Sequence, residues 1–166
     1  NAIEAAGKLM EAEKTNEALQ REARYLTGKS YYNLGNLDQA LPGLKETAAE
    51  TNSVQGAEAK YLVAEIYFKK QNVNAAEKEV LDFISKGTPH TFWLAKSFIL
   101  LSDVYLAKND EFQAKHTLKS LVENYNVDND GIIDEASRKL SEIESREKRE
   151  QEAVKSNPMQ INLNQK

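Results

Sequence analysis

Residues 64–83, AEIYFKKQNVNAAEKEVLDF, contain the pattern that decides the fold. Two further copies begin at residues 28 and 102, in GKSYYNLGNLDQALPGLKET and SDVYLAKNDEFQAKHTLKSL. In each copy a small residue is followed, at identical spacings, by a tyrosine, a turn residue, an alanine and a large apolar residue. The small residues Gly28, Ala64 and Ser102 are 36 and then 38 residues apart, a period that is typical of a helical solenoid.

Contact residues in this order suit two antiparallel helices that pack against each other, so the sequence predicts an all-α stack of helix pairs. A stack of this kind presents an extended surface instead of a deep cleft. The pattern therefore favours a protein that binds other proteins, and it argues against an enzyme.

The pattern resembles the tetratricopeptide repeat, whose signature places small residues, tyrosine and alanine at these positions. The tryptophan position of that signature holds Arg24, Lys60 and Phe98, and the closing proline is absent. The resemblance extends over residues 1–125. It implies a right-handed α-α superhelix of antiparallel helix pairs that binds a protein or peptide on its concave face.

The stretch TPHTFWLAKSFILLSDVYLAKND, residues 88–110, is also similar to bacterial repeat proteins of the cell envelope. This resemblance implies a periplasmic or envelope location, with a cytoplasmic one left open, and one segment of a longer bacterial repeat protein. The chain begins with Asn1 and already in the middle of a repeat, so we expect a fragment or a processed product.

Composition excludes several classes of function. The chain of 166 residues is long enough for one domain with a continuous core. Its net charge is −4 with both signs interspersed, and no basic stripe is present, so nucleic acid is not an expected partner. No cysteine is available for disulfides, zinc–thiolate sites or thiol catalysis. No apolar run is long enough to span a bilayer, and no cofactor is predicted.

The repeat spacing also predicts the organisation of the chain. Ala5 and Leu9 keep the spacing of Ala40 and Leu44, so the first residues are predicted to be the second helix of a repeat whose first helix is missing. The predicted units are a half repeat over 1–14, repeats over about 17–51, 53–86 and 88–124, a closing helix over about 130–155, and a polar, mobile tail over 156–166. Turns are expected at Gly35, Gln71 and Asn109, and Thr88 followed by Pro89 predicts a helix start.

The closing helix is predicted from an apolar stripe that runs from Ile132 to Ile143 at helical spacing. Beyond Ile143 the sequence ESREKREQE is charged on every face, which favours a solvated helical extension. The loop before this helix resembles the start of a calcium loop, with oxygen ligands at Asn126, Asp128, Asp130 and Asp134. Its twelfth position is Ser137 where a bidentate glutamate is needed, so we expect a helix cap and no metal site. His90 and His116 have no partner at ligand spacing and are predicted to be surface residues.

The first helix of each repeat carries two rows of large apolar side chains. Tyr25, Tyr61 and Ile99 lie three residues before the small residue of each copy, and a second row lies four residues after it. Seven residues separate the rows, so both lie on one helical face. The residues predicted to form a peptide groove are Tyr25, Lys29, Tyr32, Asn33, Tyr61, Glu65, Phe68, Lys69, Ile99, Asp103 and Leu106.

Two alternatives stay open at this point. A curved solenoid can bury these rows between neighbouring helices, in which case the rings are core and not groove. The chain can also have a structural role, in which its N-terminal face or its charged last helix forms an oligomer of the cell envelope.

Overall fold

The computed structural model describes residues 2–12 and 17–156, which form eight α-helices and no strand. The helices are α1 (Ala2–Ala12), α2 (Glu17–Asn33), α3 (Leu37–Thr47), α4 (Val54–Lys69), α5 (Val73–Lys86), α6 (Thr91–Ala107), α7 (Glu111–Asn124) and α8 (Ile132–Ser156). The predicted all-α stack of helix pairs is confirmed. None of these helices combines the length and the apolar character that are needed to cross a membrane.

The turn inside each helix pair has the same backbone geometry in all three repeats. Gly35, Gln71 and Asn109 follow the first helix of each pair with φ angles of 77°, 58° and 59°. In each turn the backbone N–H of the next residue donates a 2.9 Å hydrogen bond to the carbonyl of the repeat's tyrosine. This pattern closes a helix with a left-handed residue and reverses the chain within a few residues. The antiparallel pairs are therefore α2 with α3, α4 with α5, and α6 with α7.

Small residues allow the two helices of a pair to approach closely. Ala40, Ala76 and Ala114 have no exposed surface. Gly28 faces the same contact, because a Cβ added to it would lie 2.9 Å from Leu44 Cγ and 3.1 Å from a backbone carbonyl oxygen of α3. The spacing found in the sequence thus marks the helix crossings, where only a small side chain fits.

Hydrogen bonds between the loops connect one repeat to the next. Thr51 Oγ1 donates to the carbonyl of Gly87 at 3.1 Å, and Thr88 Oγ1 donates to the carbonyl of Thr51 at 2.7 Å. Thr88 does not begin a helix, contrary to the prediction, because its hydroxyl is engaged in this junction and α6 begins at Thr91. The predicted helix start was therefore two residues early, because the N-cap of α6 is His90 and not Thr88.

Alternate helices form two layers. Contacts run from α2 to α4, from α4 to α6 and from α6 to α8, so these four helices form an inner layer. The outer helices α3, α5 and α7 each pack against the inner helices before and after them in the chain. The inner layer therefore carries both rows of large side chains that the sequence singled out.

The two ends of the stack differ. Helix α1 packs against α2, whereas α8 packs against α7 and α6 through Ile132, Ala136 and Ile143, all of which are buried. The charged part of α8 was predicted to be a solvated extension. It is not fully solvated, because Glu147 pairs with Lys115 of α7 at 2.6 Å. The predicted tail lies outside the described residues from residue 157 onward, as do residues 13 and 14 of the predicted half repeat.

Candidate partner-binding face

The first of the two predicted rows is core and not groove. Tyr25, Tyr61 and Ile99 are only 7%, 8% and 3% exposed. The expectation that all three side chains stand exposed in an open groove is therefore wrong, although the small exposed parts of Tyr61 and Ile99 reach the depression described below. Neighbouring inner helices lie close enough to cover this row.

Side chains of neighbouring inner helices form two hydrogen-bonded clusters, here called rungs. Tyr25 and Lys29 of α2 and Glu58 of α4 form the first rung. The Tyr25 hydroxyl of α2 donates to a carboxylate oxygen of Glu58 on α4. Lys29 completes the rung, since its Nζ lies 2.8 Å from Glu58 and donates to the Tyr25 hydroxyl at 3.0 Å. Burial, followed by the hydrogen bond to Glu58, raises the pKa of Tyr25. The bond to Glu58 also raises the pKa of Lys29, so the phenol stays neutral and the ammonium stays charged.

A second rung repeats this arrangement seven residues later, which is two turns of helix. The Tyr32 hydroxyl donates to Glu65 of α4, and Lys69 Nζ donates to Tyr32 at 2.5 Å while lying 4.4 Å from the centre of its ring. Glu65 also accepts a 3.0 Å bond from Tyr61. The polar groups of these tyrosines are thus satisfied within the chain, and they fix the spacing of α2 and α4.

The second predicted row is half-buried and remains accessible. Tyr32, Phe68 and Leu106 each keep part of their surface in solvent. Tyr32 and Phe68 rest on the core formed by the first two repeats, and Leu106 rests on the core under α8. Asn33 is exposed beside Tyr32. This row is the part of the prediction that offers apolar surface to a partner.

A depression of about 280 Å³ opens between α4, α6 and α8. It is lined by Tyr61, Glu65, Phe68, Lys69, Lys96, Ile99, Leu100, Asp103 and Glu135. Six of the eleven predicted groove residues are thus brought together here, whereas Tyr25, Lys29, Tyr32, Asn33 and Leu106 lie outside the depression. Its floor is aromatic and aliphatic, and its rim is charged.

Ion pairs bind the rim of the depression to α8. Lys96 Nζ lies 3.2 Å from Glu135, and Lys139 Nζ lies 2.7 Å from Asp103. Lys96 also lies 5.9 Å from the centre of the Tyr61 ring. All four charged groups are between one fifth and two fifths exposed, so they remain accessible to an incoming ligand.

Sequence reasoning missed three contributors to this region. Glu135 belongs to the closing helix, and nothing in the repeat spacing marks its ion pair with Lys96. Leu100 lines the same depression. Trp93 lies beside it, with its ring centre 5.6 Å from that of Tyr61, and nothing in the repeat spacing marks this contact.

The calcium-like loop serves the start of α8. Asp130 accepts a 3.0 Å bond from the backbone N–H of Ile132 and a second bond from the Tyr125 hydroxyl. Burial, followed by the bond to Asp130, raises the pKa of Tyr125 to about 12. Asp128 and Asp134 are exposed. In the described part of the chain, no three histidine, aspartate or glutamate residues are grouped so that they could hold a metal ion.

Neither histidine lies in a cluster of side chains that could carry out catalysis or bind a metal ion. His90 Nε2 lies 3.0 Å from the carbonyl of Asn52, and the His116 ring stacks on Phe112 with centres 6.4 Å apart. Both contacts are those of surface residues.

The comparisons with known proteins agree with this architecture. The sequence model of the tetratricopeptide repeat matches residues 22–50. The chain therefore contains a tetratricopeptide repeat at these residues. The matched segment spans α2 and α3, the pair whose turn and crossing geometry recurs in the next two pairs. The resemblance drawn from the sequence is therefore confirmed.

Similarity at the level of structure extends over the whole stack of helix pairs. The crystal structure of MamA superimposes with a TM-score of 0.59 at 21% sequence identity, covering 90% of this chain and 89% of that one. At this identity the likeness shows the fold. No curated protein matches the sequence. Stacked helix repeats present extended surfaces that suit protein partners, so the matched repeat supports a protein-interaction module.

Proposed function

We propose that the chain is a non-catalytic scaffold that binds a peptide or protein partner on its inner, concave face. The depression between α4, α6 and α8 carries this proposal, because it joins an apolar floor to a charged rim. Binding sites for peptides have this composition, in which a buried anchor supplies most of the affinity and the rim sets orientation.

The half-exposed row gives the partner a path along the inner face. Phe68 belongs both to this row and to the depression, so a ligand that inserts one large apolar side chain beside Phe68 can continue over Tyr32 or Leu106. Lys69 and Lys96 face Glu65, Asp103 and Glu135 across the rim, so the site suits a segment that carries both signs of charge. An extended strand or an amphipathic helix meets these requirements.

Selection from a displayed peptide library on the purified chain tests the proposal. We expect Phe68→Ala to weaken the selected peptides by about tenfold or more, as for a central anchor. The matched control is Phe112→Ala on the outer helix α7, where the ring is 72% exposed and lies away from the inner layer. If the selected peptides bind both variants as tightly as they bind the original chain, the binding site does not lie on the inner face.

A periplasmic or cell-envelope location and an assembly role there both remain predictions. They draw their support from the sequence resemblance.

A further inference from the structure

A second depression, here called the α6–α7 crevice, lies between the two helices of the third repeat. Its volume is about 180 Å³, and its lining includes Leu94, Ala95 and Phe98 of α6 and Leu121 of α7. Lys96 of the inner depression stands two residues from both Leu94 and Phe98, so it leaves α6 at roughly 200° from them. The α6–α7 crevice and the inner depression therefore lie on different sides of α6.

The same place in the first two repeats is occupied by an ion pair. Four residues before the small residue, those repeats carry Arg24 and Lys60, where the third repeat carries Phe98. Arg24 Nε lies 3.0 Å from a carboxylate oxygen of Glu46 on α3, and Lys60 Nζ lies 2.5 Å from one of Asp82 on α5. Lys60 is only 5% exposed. In these repeats a cation of the first helix thus packs over the second helix and bonds to an anion there.

The third repeat replaces both charges with uncharged residues. Ser120 holds the position of Glu46 and Asp82, since all three follow the small residue of their repeat by 18 positions. None of the eight described residues that line the α6–α7 crevice is charged. A charged group placed there would lose water without gaining an ionic partner, whereas an apolar group would gain from burial. The lining therefore favours an uncharged, apolar ligand.

The size and surroundings of the crevice suit one side chain of a protein partner. An apolar cavity of roughly 150 Å³ holds a benzene molecule, so the space is sufficient for one ring or one leucine side chain. At the rim, Asn124 Nδ2 donates a 2.8 Å bond to the carbonyl of Ser120, which adds neutral polar groups. Phe92 and Val127, both exposed, stand within two residues of lining residues. The apolar surface thus continues beyond the area that a single free ring would cover.

We propose that the α6–α7 crevice binds a protein partner through one uncharged anchor side chain, either an aromatic ring or a leucine. This site is additional to the inner depression and does not depend on peptide binding there, because the two sites use different sides of α6.

Indole, a neutral two-ring molecule, is the first probe of the α6–α7 crevice. Titration of the purified full chain with millimolar indole should shift the backbone amide signals of Ala95, Phe98 and Leu121. If these three signals do not move, the crevice does not take an apolar ring and the proposal is wrong.

A double variant, Phe98→Lys with Ser120→Asp, installs the ion pair of the second repeat in the crevice. Lys60 and Asp82 form this pair at equivalent positions, so circular dichroism should show the original fold. Indole should bind the double variant about tenfold more weakly or worse, as expected for loss of an anchor pocket. Phe112→Lys is the matched control, because its ring is 72% exposed on α7, and it should bind indole like the original chain.

Unchanged indole binding by the folded double variant would refute the assignment of the site. If the double variant does not fold, Ser120→Asp alone adds a charge at a half-exposed rim position and should reduce the indole shifts. Shifts of the original size in Ser120→Asp would then refute it.

A counter-selection from a displayed peptide library tests whether the occupant is a protein side chain. Peptides that bind the original chain are kept, and those that also bind the folded variant, the double variant or Ser120→Asp, are discarded. This step removes ligands of the inner depression, which is intact in both chains. The surviving peptides should share one tryptophan, phenylalanine or leucine, and its replacement by alanine should weaken binding by about tenfold or more. Absence of survivors despite indole binding, or survivors anchored by a charged residue, would overturn the proposed partner.

Discussion

Replacement of Tyr61 separates the core role of the inner tyrosines from a binding role. The ring is 8% exposed, lies against Trp93, and donates a 3.0 Å hydrogen bond to Glu65. Tyr61→Ala leaves a cavity the size of the ring, and we expect it to lower the free energy of unfolding by roughly 3–5 kcal/mol. Tyr61→Phe keeps the ring and loses only the hydrogen bond to a carboxylate, so we expect a loss of about 1.5–3 kcal/mol.

Chemical denaturation followed by far-ultraviolet circular dichroism measures these changes without relying on Trp93, whose fluorescence the substitutions would alter directly. For a chain of this length the change for Tyr61→Ala corresponds to a fall of roughly 6–20 °C in melting temperature. Phe68→Ala, at a half-exposed ring, is the comparison and should cost about 1–2 kcal/mol. If Tyr61→Ala melts within a degree or two of the original chain, the ring is not core and the packing of α4 on α6 described above is wrong.

Four further outcomes are expected. Gly56→Ala should destabilise strongly, because the added Cβ would lie 1.9 Å from a loop carbonyl oxygen, whereas Gly7→Ala meets nothing within 4 Å and should be neutral or stabilising in a thermal melt. Ala76→Leu should lower the free energy of unfolding by about 1–3 kcal/mol through overpacking, and an unchanged melt would refute the crossing geometry. Millimolar calcium should leave the melting temperature unchanged, because ligation of the folded state would raise it. Since the pKa of Tyr125 is raised from 10.0 to about 12, the unfolded chain loses this proton first, so stability should fall between those pH values, and less steeply in Tyr125→Phe.

The repeat spacing predicted the parts of the fold that depend on short-range geometry. Ala40 and Ala76 were recognisable because a helix crossing needs a small side chain at a fixed distance from the turn. Gln71 and Asn109 were recognisable as turn positions only because they align with Gly35, since their own residue types favour the left-handed conformation less than glycine does.

The parts that were missed depend on distances between helices far apart in sequence. Spacing places Tyr25 and Tyr61 on one face, but it does not say how closely the next inner helix approaches that face. Glu58 accepts the Tyr25 hydroxyl from 33 residues away, and this contact between α2 and α4 accompanies the burial of Tyr25 in the first row. The position of Glu135 depends likewise on α8 joining the inner layer, which its sequence shows only after the packing is known.

Mapping a selected peptide onto the chain by backbone amide chemical shifts tests the binding role of the inner face most directly. Saturation with the peptide should shift the amides of Phe68, Lys69, Lys96 and Asp103, and the shifts should decline towards the outer helices. Shifts confined to α3, α5 and α7, with these four amides unmoved, would contradict the account.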